Sequence, residues 1–310
     1  MGRRIGSQVQ TFAGAVLDRA AVVRHDPDRA AALLSQPGAR AVAASEVGVV
    51  VQGATLARRS LADDAIAGLV RAGGPVLLGL ESSGPLFAVD LGAVAAPPAA
   101  FSGGEVIGLR DAGARLPQAE GGLAAYLTAL LGWHRRNRFC PNCGTPTTVS
   151  EIGLARACPA CREVHFPRTD PVVIMLVEHG DRLLLGRRSG WPPGRFSVLA
   201  GFVGPAETPE EAVIREVCEE AGIEAYVPRY VASQPWPFPA SLMLGFEARA
   251  DGGEPRVGDR ELEEVGWFTR AEVHAAAAGA GALQLPPPIS IARSLIDRWA
   301  ARGGITAAAG

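Results

Sequence analysis

The 310-residue chain lacks an excess of charge of either sign, its formal net charge being −2. Without a global basic field, a polyanionic ligand has to be met by local cations or by bound metal. Long apolar runs are missing as well. The first residues, MGRRIGSQVQTFAGAVLDRAAVV, carry arginines, but Asp18 and Arg19 interrupt any signal-like apolar core. The longest late uncharged stretch, AAAAGAGALQLPPPISIA, is broken by glycines and three consecutive prolines, which makes it a poor membrane span. These absences predict a cytoplasmic chain with no membrane partner. Cysteine is scarce: of five, four form the pairs Cys140/Cys143 and Cys158/Cys161, and Cys218 stands apart. In a reducing compartment such pairing favours a metal over disulfides. No internal repeat is visible.

Hydrophobic residues make up 48% of the chain, ordinary for globular protein, and the length suggests two or three domains. Residues 1–134 hold short apolar runs broken by turns. VGVVV (48–52), PVLLGL (75–80) and LFAVDL (86–91) read as strands, and LADDAIAGLVRA (61–72) has helical spacing. With no catalytic cluster there, the expectation is a mixed α/β structural or dimerising domain. LAAYLTALLGWHRRNRF (123–139) reads as an amphipathic helix leading into the cysteines. C-x2-C, fourteen residues, C-x2-C is close to the tetrathiolate zinc pattern, so Cys140, Cys143, Cys158 and Cys161 are candidate ligands for one structural zinc. Arg135, Arg136 and Arg138 just before it are either a nucleic-acid contact or a solvated cationic face.

PVVIMLV (171–177), RLLLGRR (182–188) and FSVLAGF (196–202) read as strands, and a last helix is expected over about 288–301. The mixture of strands and helices argues for an α+β layered sandwich. GFVGPAETPEEAVIREVCEEAGI (201–223) carries the densest signal. Thr208 can cap a helix, Pro209 suits its first position, Glu211 completes a capping box, and Gly222 suits the C-cap. The helix is predicted over 209–221. Ala212, Val213, Val217 and Ala221 form a seam for a sheet, while Glu216, Glu219 and Glu220 share another face. Three like charges there are either a solvated face or a site for a hard divalent cation.

The spacing decides between these. Gly201, Glu207, Arg215-Glu216, Glu219-Glu220 and Gly222 occupy the positions of the Nudix box, and the region resembles the Nudix hydrolases. Downstream, SQPWPFPAS (233–241) resembles the segment that marks the NADH pyrophosphatases within that family, which also carry a zinc ribbon before the catalytic domain. The resemblance implies a Nudix α/β/α catalytic domain (166–302) after a ribbon (135–165) and the N-terminal domain (1–134), with a tail at 303–310. It implies two or three Mg²⁺ or Mn²⁺ ions on Glu216, Glu219, Glu220 and Glu261, with Glu219 also orienting water, Arg215 positioning the glutamates and Glu207 supporting the loop.

Substrate contacts are expected from Phe166, Ala200, Phe202, Gln234, Pro235, Trp236, Pro237, Phe238, Pro239, Ala240, Ser241, Glu261 and Ala292. Proline-fixed φ angles hold 233–241 stiff, so that Trp236 and Phe238 can offer flat faces to a nicotinamide or adenine ring while Gln234 and Ser241 bond ribose or amide groups. Phe202 alone could equally be core packing, and Glu261 alone mere acidic surface. Where many relatives have Tyr, Phe166 keeps a stacking face and loses a hydroxyl. The expected activity is hydrolysis of NADH and NAD⁺ to nicotinamide mononucleotide and AMP, with removal of 5′ NAD caps from RNA, by a homodimer. The alternatives are a hydrolase of ADP-ribose or diadenosine polyphosphate, and a non-catalytic nucleotide or RNA binder.

Overall fold

The computed structural model describes residues 9–258 and 261–302; the tail expected at 303–310 lies outside them. The chain forms two units. Of the described residues, the first comprises Thr11–Thr169 with Trp236–Ala240, and the second residues 9–10, Asp170–Pro235, 241–258 and 261–302.

In the first unit, α1 (Ala21–Arg24) and α2 (Pro27–Leu33) precede a seven-stranded sheet. Its strands are β1 (Arg40–Ala44), β2 (Val49–Gln52), β3 (Thr55–Leu56), β4 (Arg59–Ser60), β5 (Val76–Glu81), β6 (Gly84–Asp90) and β7 (Glu105–Ile107). The spatial order is β3-β2-β1-β6-β5, with β4 on β1 and β7 on β2; β1 and β6 run parallel. Both sheet faces are buried, as the period of two along β1 shows. Val42 and Ala44 pack toward α5 (Gln118–Arg136), which follows α4 (Leu109–Arg115), whereas Ala41 and Ala43 pack with Ile66 and Val70 of α3 (Asp64–Ala72). The expected strands and α3 are present, and α5 starts five residues earlier than the apolar spacing alone marks.

The ribbon is a three-stranded sheet of β8 (Thr148–Ser150), β9 (Ala155–Ala157) and β10 (Val164–His165). Strands this short have almost no core of their own.

The second unit is built on a six-stranded mixed sheet. Its strands are β11 (Asp170–His179), β12 (Arg182–Arg188), β13 (Leu199–Phe202), β14 (Ala225–Trp236), β15 (Ser241–Ala250) and β16 (Leu262–Thr269). The order is β14-β15-β11-β12-β16, with β13 on β11. On one face lies α6 (Pro209–Ala221), whose Ala212, Val213, Val217 and Ala221 are fully buried against Val173, Met175 and Phe246. On the other lie α7 (Arg270–Ala277) and α8 (Ile291–Ala301), packed on Ile174, Leu176, Leu183 and Leu185. This is the α/β/α sandwich. The two buried valines of α6 contribute roughly 1.5–3 kcal/mol each, more than the ~1 kcal/mol of a good N-cap; packing therefore holds the helix and capping sets where it begins. The strand expected over 196–202 is shorter than the apolar run, because only Leu199–Phe202 pairs with β11.

Candidate active site

The helix α6 begins and ends where its caps dictate. Thr208 Oγ1 accepts from Glu211 N, the Glu211 carboxylate accepts from Thr208 N, and Gly222 closes the helix at φ 64°. Only glycine adopts that left-handed conformation at little cost. The carboxylates of Glu216, Glu219 and Glu220 thereby fall within one turn, and β13 lies beside them. A Cβ on Gly201 would stand 1.9 Å from Glu216 Cδ, so the box needs glycine there to admit the carboxylate.

Arg215 ties this corner together. Its Nε donates to Glu207 Oε1 at 2.7 Å and its Nη2 to Glu207 Oε2 at 2.8 Å, a bidentate pair. Its Nη1 donates to Glu216 Oε1 at 2.8 Å and Glu219 Oε2 at 2.9 Å, and Nη2 also reaches Phe202 O at 2.9 Å. Glu207 in turn accepts from Gly204 N at 2.7 Å, closing the loop between β13 and α6. The Arg215 hydrogen bonds first, and Gly204 second, hold the Glu207 carboxyl down at about 2. Burial pushes Glu216 above the usual carboxylate range; Arg215 opposes that, and the nearby negative Glu219 and Glu261 add to it. Glu220 is only 1% exposed.

A residue that the spacing argument passed over joins the cluster. Arg188 ends β12, and the pairing Arg188↔Leu262 sets it beside Glu261. Arg188 Nη2 lies 3.1 Å from Glu261 Oε2, 4.0 Å from Glu220 Oε1 and 3.3 Å from Ala200 O. The sequence offers one hint of it, a pair of arginines closing the apolar run LLLG of β12. Two guanidinia thus serve five carboxyl groups and leave the corner short of positive charge. Hard oxygen donors that feel one another's charge, beside a glycine that makes room for one of them, fit a divalent ion of the Mg²⁺ class. With the arginines among them, these oxygens are not gathered as tightly as the thiols described below.

The remaining expected contacts separate into two groups. In the second unit, Phe202 is 62% exposed, Ser241 and Pro235 are half-buried, and Ala292 is buried. Gln234 lies near the end of β14. It is fully buried, its Nε2 donating to Ile289 O and its Oε1 accepting from Ile291 N, both at 2.7 Å. Its amide thereby fastens the segment before α8.

In the first unit, Phe166 is 54% exposed. Trp236 and Phe238 pack edge-to-face on each other and on Phe12, with ring centroids 5.0–5.8 Å apart. Arg110 covers Phe238 at 4.1 Å from the ring centroid. These rings are therefore partly spent on packing, and Phe238 does not offer two open faces. Pro237 is buried, Ala240 half-buried and Pro239 exposed.

The four ribbon cysteines carry no disulfide, and their sulfurs all lie within 4.8 Å of one another. Cys140–Cys161 and Cys143–Cys158 are 3.6 and 3.5 Å apart, close to the ~3.8 Å edge of a tetrahedron with Zn–S near 2.3 Å. Among the described residues this is the one group of potential metal donors drawn so close. The donor set fits zinc. His165 Nε2 lies 3.3 Å from Cys140 Sγ, where its N–H can donate to a thiolate.

A carboxylate loop and helix on an α/β/α sandwich define a Nudix-type domain. Residues 167–285 match the NUDIX domain, 135–166 the NADH pyrophosphatase zinc ribbon domain, and 29–133 the NADH pyrophosphatase-like rudimentary NUDIX domain. The NAD-capped RNA hydrolase NudC of Chromobacterium violaceum is 43% identical over 223 residues, 72% of this chain and 79% of that protein. The human NAD-capped RNA hydrolase NUDT12 is 44% identical over 197 residues, 60% of this chain. NudC of Mycobacterium bovis is 44% identical over 206 residues, 64% of this chain and 66% of that protein. The chain spans only 43% of the human protein's length. The chain belongs to the NUDIX family, in the group that carries the NADH pyrophosphatase zinc ribbon, and its four cysteines lie in that ribbon, gathered closely enough to suit a structural zinc. Residues 29–133 thus match a NUDIX-related model of their own, although no repeat is visible in the sequence.

Proposed function

We propose that this chain hydrolyses the pyrophosphate bond of NADH and NAD⁺ to nicotinamide mononucleotide and AMP, and that it removes 5′ NAD caps from RNA to leave 5′-monophosphate ends. The observation that carries this reading is the set Glu216, Glu219 and Glu220 within one turn of α6, braced by Arg215 and joined by Glu261 through Arg188. The 43% identity to a NAD-capped RNA hydrolase over most of its length supports the substrate class.

Glu216, Glu219, Glu220 and Glu261 would hold two or three Mg²⁺ or Mn²⁺ ions, which would supply Lewis-acid stabilisation of phosphate charge and a lowered pKa for water. Glu219, the more exposed carboxylate of the turn, is assigned to orient that water and take its proton. Glu220 and Glu216, held between helix and sheet, are assigned as fixed ligands. Arg215 keeps Glu216 and Glu219 in place by donating to both, and Glu207 keeps Arg215 in place. Phe202, Phe166 and the 233–241 segment are assigned to the nucleotide's rings and ribose, with Ala292 beside the adenine. The reading extends to a homodimer and to a cytoplasmic setting.

The test is product analysis with zinc-loaded protein, Mg²⁺ or Mn²⁺, and NADH in ¹⁸O-labelled water, with ADP-ribose and diadenosine tetraphosphate as competitors. Glu219→Gln and Glu220→Gln should each lower turnover by about 10²-fold or more with the fold retained. Faster turnover of ADP-ribose than of NADH, or a loss below tenfold in both variants, would overturn the assignment.

A further inference from the structure

The second unit has a cavity of about 250 Å³ that the carboxylate cluster does not use, lined by Arg229, Tyr230, Val231, Glu247, Arg298 and Arg302. It lies between the edge strand β14 and the C-terminal end of α8. Glu247 is only 8% exposed and acts as its floor. Arg298 Nε donates to its Oε1 at 3.1 Å, and Arg302 Nη1 to its Oε2 at 2.8 Å.

One buried carboxylate thus orders two guanidinia and leaves charge unspent. The helix end adds about −0.5 and Glu247 adds −1, against three arginines, so the cavity stays positive by more than one charge. Arg229 is exposed and pairs with no carboxylate among the described residues. A second, independent sign comes from Arg302: its Nη2 is buried and makes no hydrogen bond. An unsatisfied buried donor costs roughly 1–3 kcal/mol, and an anionic acceptor in the cavity would remove that cost.

We infer that this groove binds the phosphodiester backbone of single-stranded RNA downstream of the cap, an inference that rests on the function proposed above. Tyr230 separates this ligand from a simple anion. It is 57% exposed and braced edge-to-face by Phe246, with ring centroids 5.9 Å apart at 78°. An immobilised aromatic ring beside arginines is the arrangement that stacks a base while pairing its phosphate.

The chain has no lysine, so every side-chain cation it can offer a phosphate, apart from a protonated histidine, is a guanidinium, weakly hydrated and able to bind bidentately. The groove also shares both its elements with the segment fastened by Gln234. Four residue steps along the strand lead from Tyr230 to Gln234, about 13 Å. At ~3.4 Å per stacked nucleotide, some four nucleotides bridge that length.

Hydrolysis of NADH and of a NAD-capped RNA of about a dozen nucleotides should be measured side by side for the wild type, Arg229→Glu, Arg229→Lys and Tyr230→Ala. Arg229 is solvent-exposed, so its substitution leaves Glu247 paired and the fold intact. Arg229→Glu should raise KM for the capped RNA about three- to tenfold and reduce the salt dependence by about one ion, with NADH kinetics unchanged. Arg229→Lys should restore most of the affinity, and Tyr230→Ala should weaken RNA alone.

Uncapped single-stranded RNA should compete with capped RNA for the wild type and lose that ability with Arg229→Glu. Equal effects on both substrates, no effect on either, or competition by inorganic phosphate or AMP in place of RNA would overturn the assignment. A wild type inactive on both substrates would instead sink the hydrolase reading. Fluorescence anisotropy with uncapped RNA would then still test the groove, and equal affinity of wild type and Arg229→Glu would overturn it.

Discussion

At Arg188 a single side chain stands where two roles compete. Its guanidinium neutralises Glu261 and reaches Glu220, two carboxylates assigned to divalent metal. A tethered cation and a metal ion cannot both occupy the same carboxylate oxygens without repulsion, so Arg188 must lower the intrinsic metal affinity. Arg188→Gln should bind Mn²⁺ more tightly, about threefold to tenfold, because partly exposed pairs of this kind are worth only ~1 kcal/mol after screening. Electron paramagnetic resonance titration of free Mn²⁺ checks this without relying on turnover; weaker or unchanged binding would show that Arg188 does not compete. Arg215 behaves differently. It bonds Glu207, Glu216 and Glu219 at once, so its removal leaves three carboxylates uncompensated and the loop before α6 untied.

At the scale of the element, legibility follows how local the cause is. The bounds of α6 were readable to the residue because Thr208, Pro209, Glu211 and Gly222 act within their own turn. The reach of β14 through Pro235 to Trp236 was not. A proline is tolerated there because β14 is the edge strand, and sheet order is set by pairings distant in sequence. The packing of Trp236 and Phe238 on Phe12 was hidden for the same reason, with more than two hundred residues between the partners. The chemistry of Glu216, Glu219 and Glu220 was legible from spacing, whereas Arg188 needed the β12–β16 register.

The junction of α5 with the ribbon was equally silent in sequence. His134 is buried, its Nε2 2.8 Å from Gly153 O and its Nδ1 3.2 Å from Arg156 Nη1. With Arg156 donating to Nδ1, the ring is neutral and Nε2 carries the proton. Burial, chiefly, and the Arg156 charge lower its pKa; the Gly153 carbonyl opposes them. A base whose folded pKa is depressed contributes stability that is fully present above its unfolded value near 6.5 and is lost as pH falls through the lower folded value. Thermal melts should therefore show stability falling below about pH 6.5 in the wild type and a flatter profile in His134→Gln, with zinc content followed in parallel. Identical slopes would remove His134 as the cause.

For the whole molecule, the two units solve one architectural problem with different residues. Both bury a mixed sheet between helices, but only the second loads a helix with glutamates; α3, DAIAGLVRA, has none. The ribbon within the first unit is stabilised by other means. Its strands are three, three and two residues long, and the hydrophobic clusters draw from it only the partly buried Ile152. Structural zinc contributes about 10–16 kcal/mol of apparent binding energy in comparable small modules, as much as the ~5–15 kcal/mol that holds a whole domain. Removing it should therefore release the ribbon selectively. In hydrogen exchange with a zinc chelator, amides of residues 140–165 should lose protection while those of α6 and β11 keep theirs, since α6 and β11 rest on Val173, Met175 and Val217 rather than on thiolates. Zinc loss verified by mass spectrometry with the 140–165 amides still protected would mean that packing, and not metal, holds the segment. Loss of protection everywhere at once would mean that the second unit cannot stand without it.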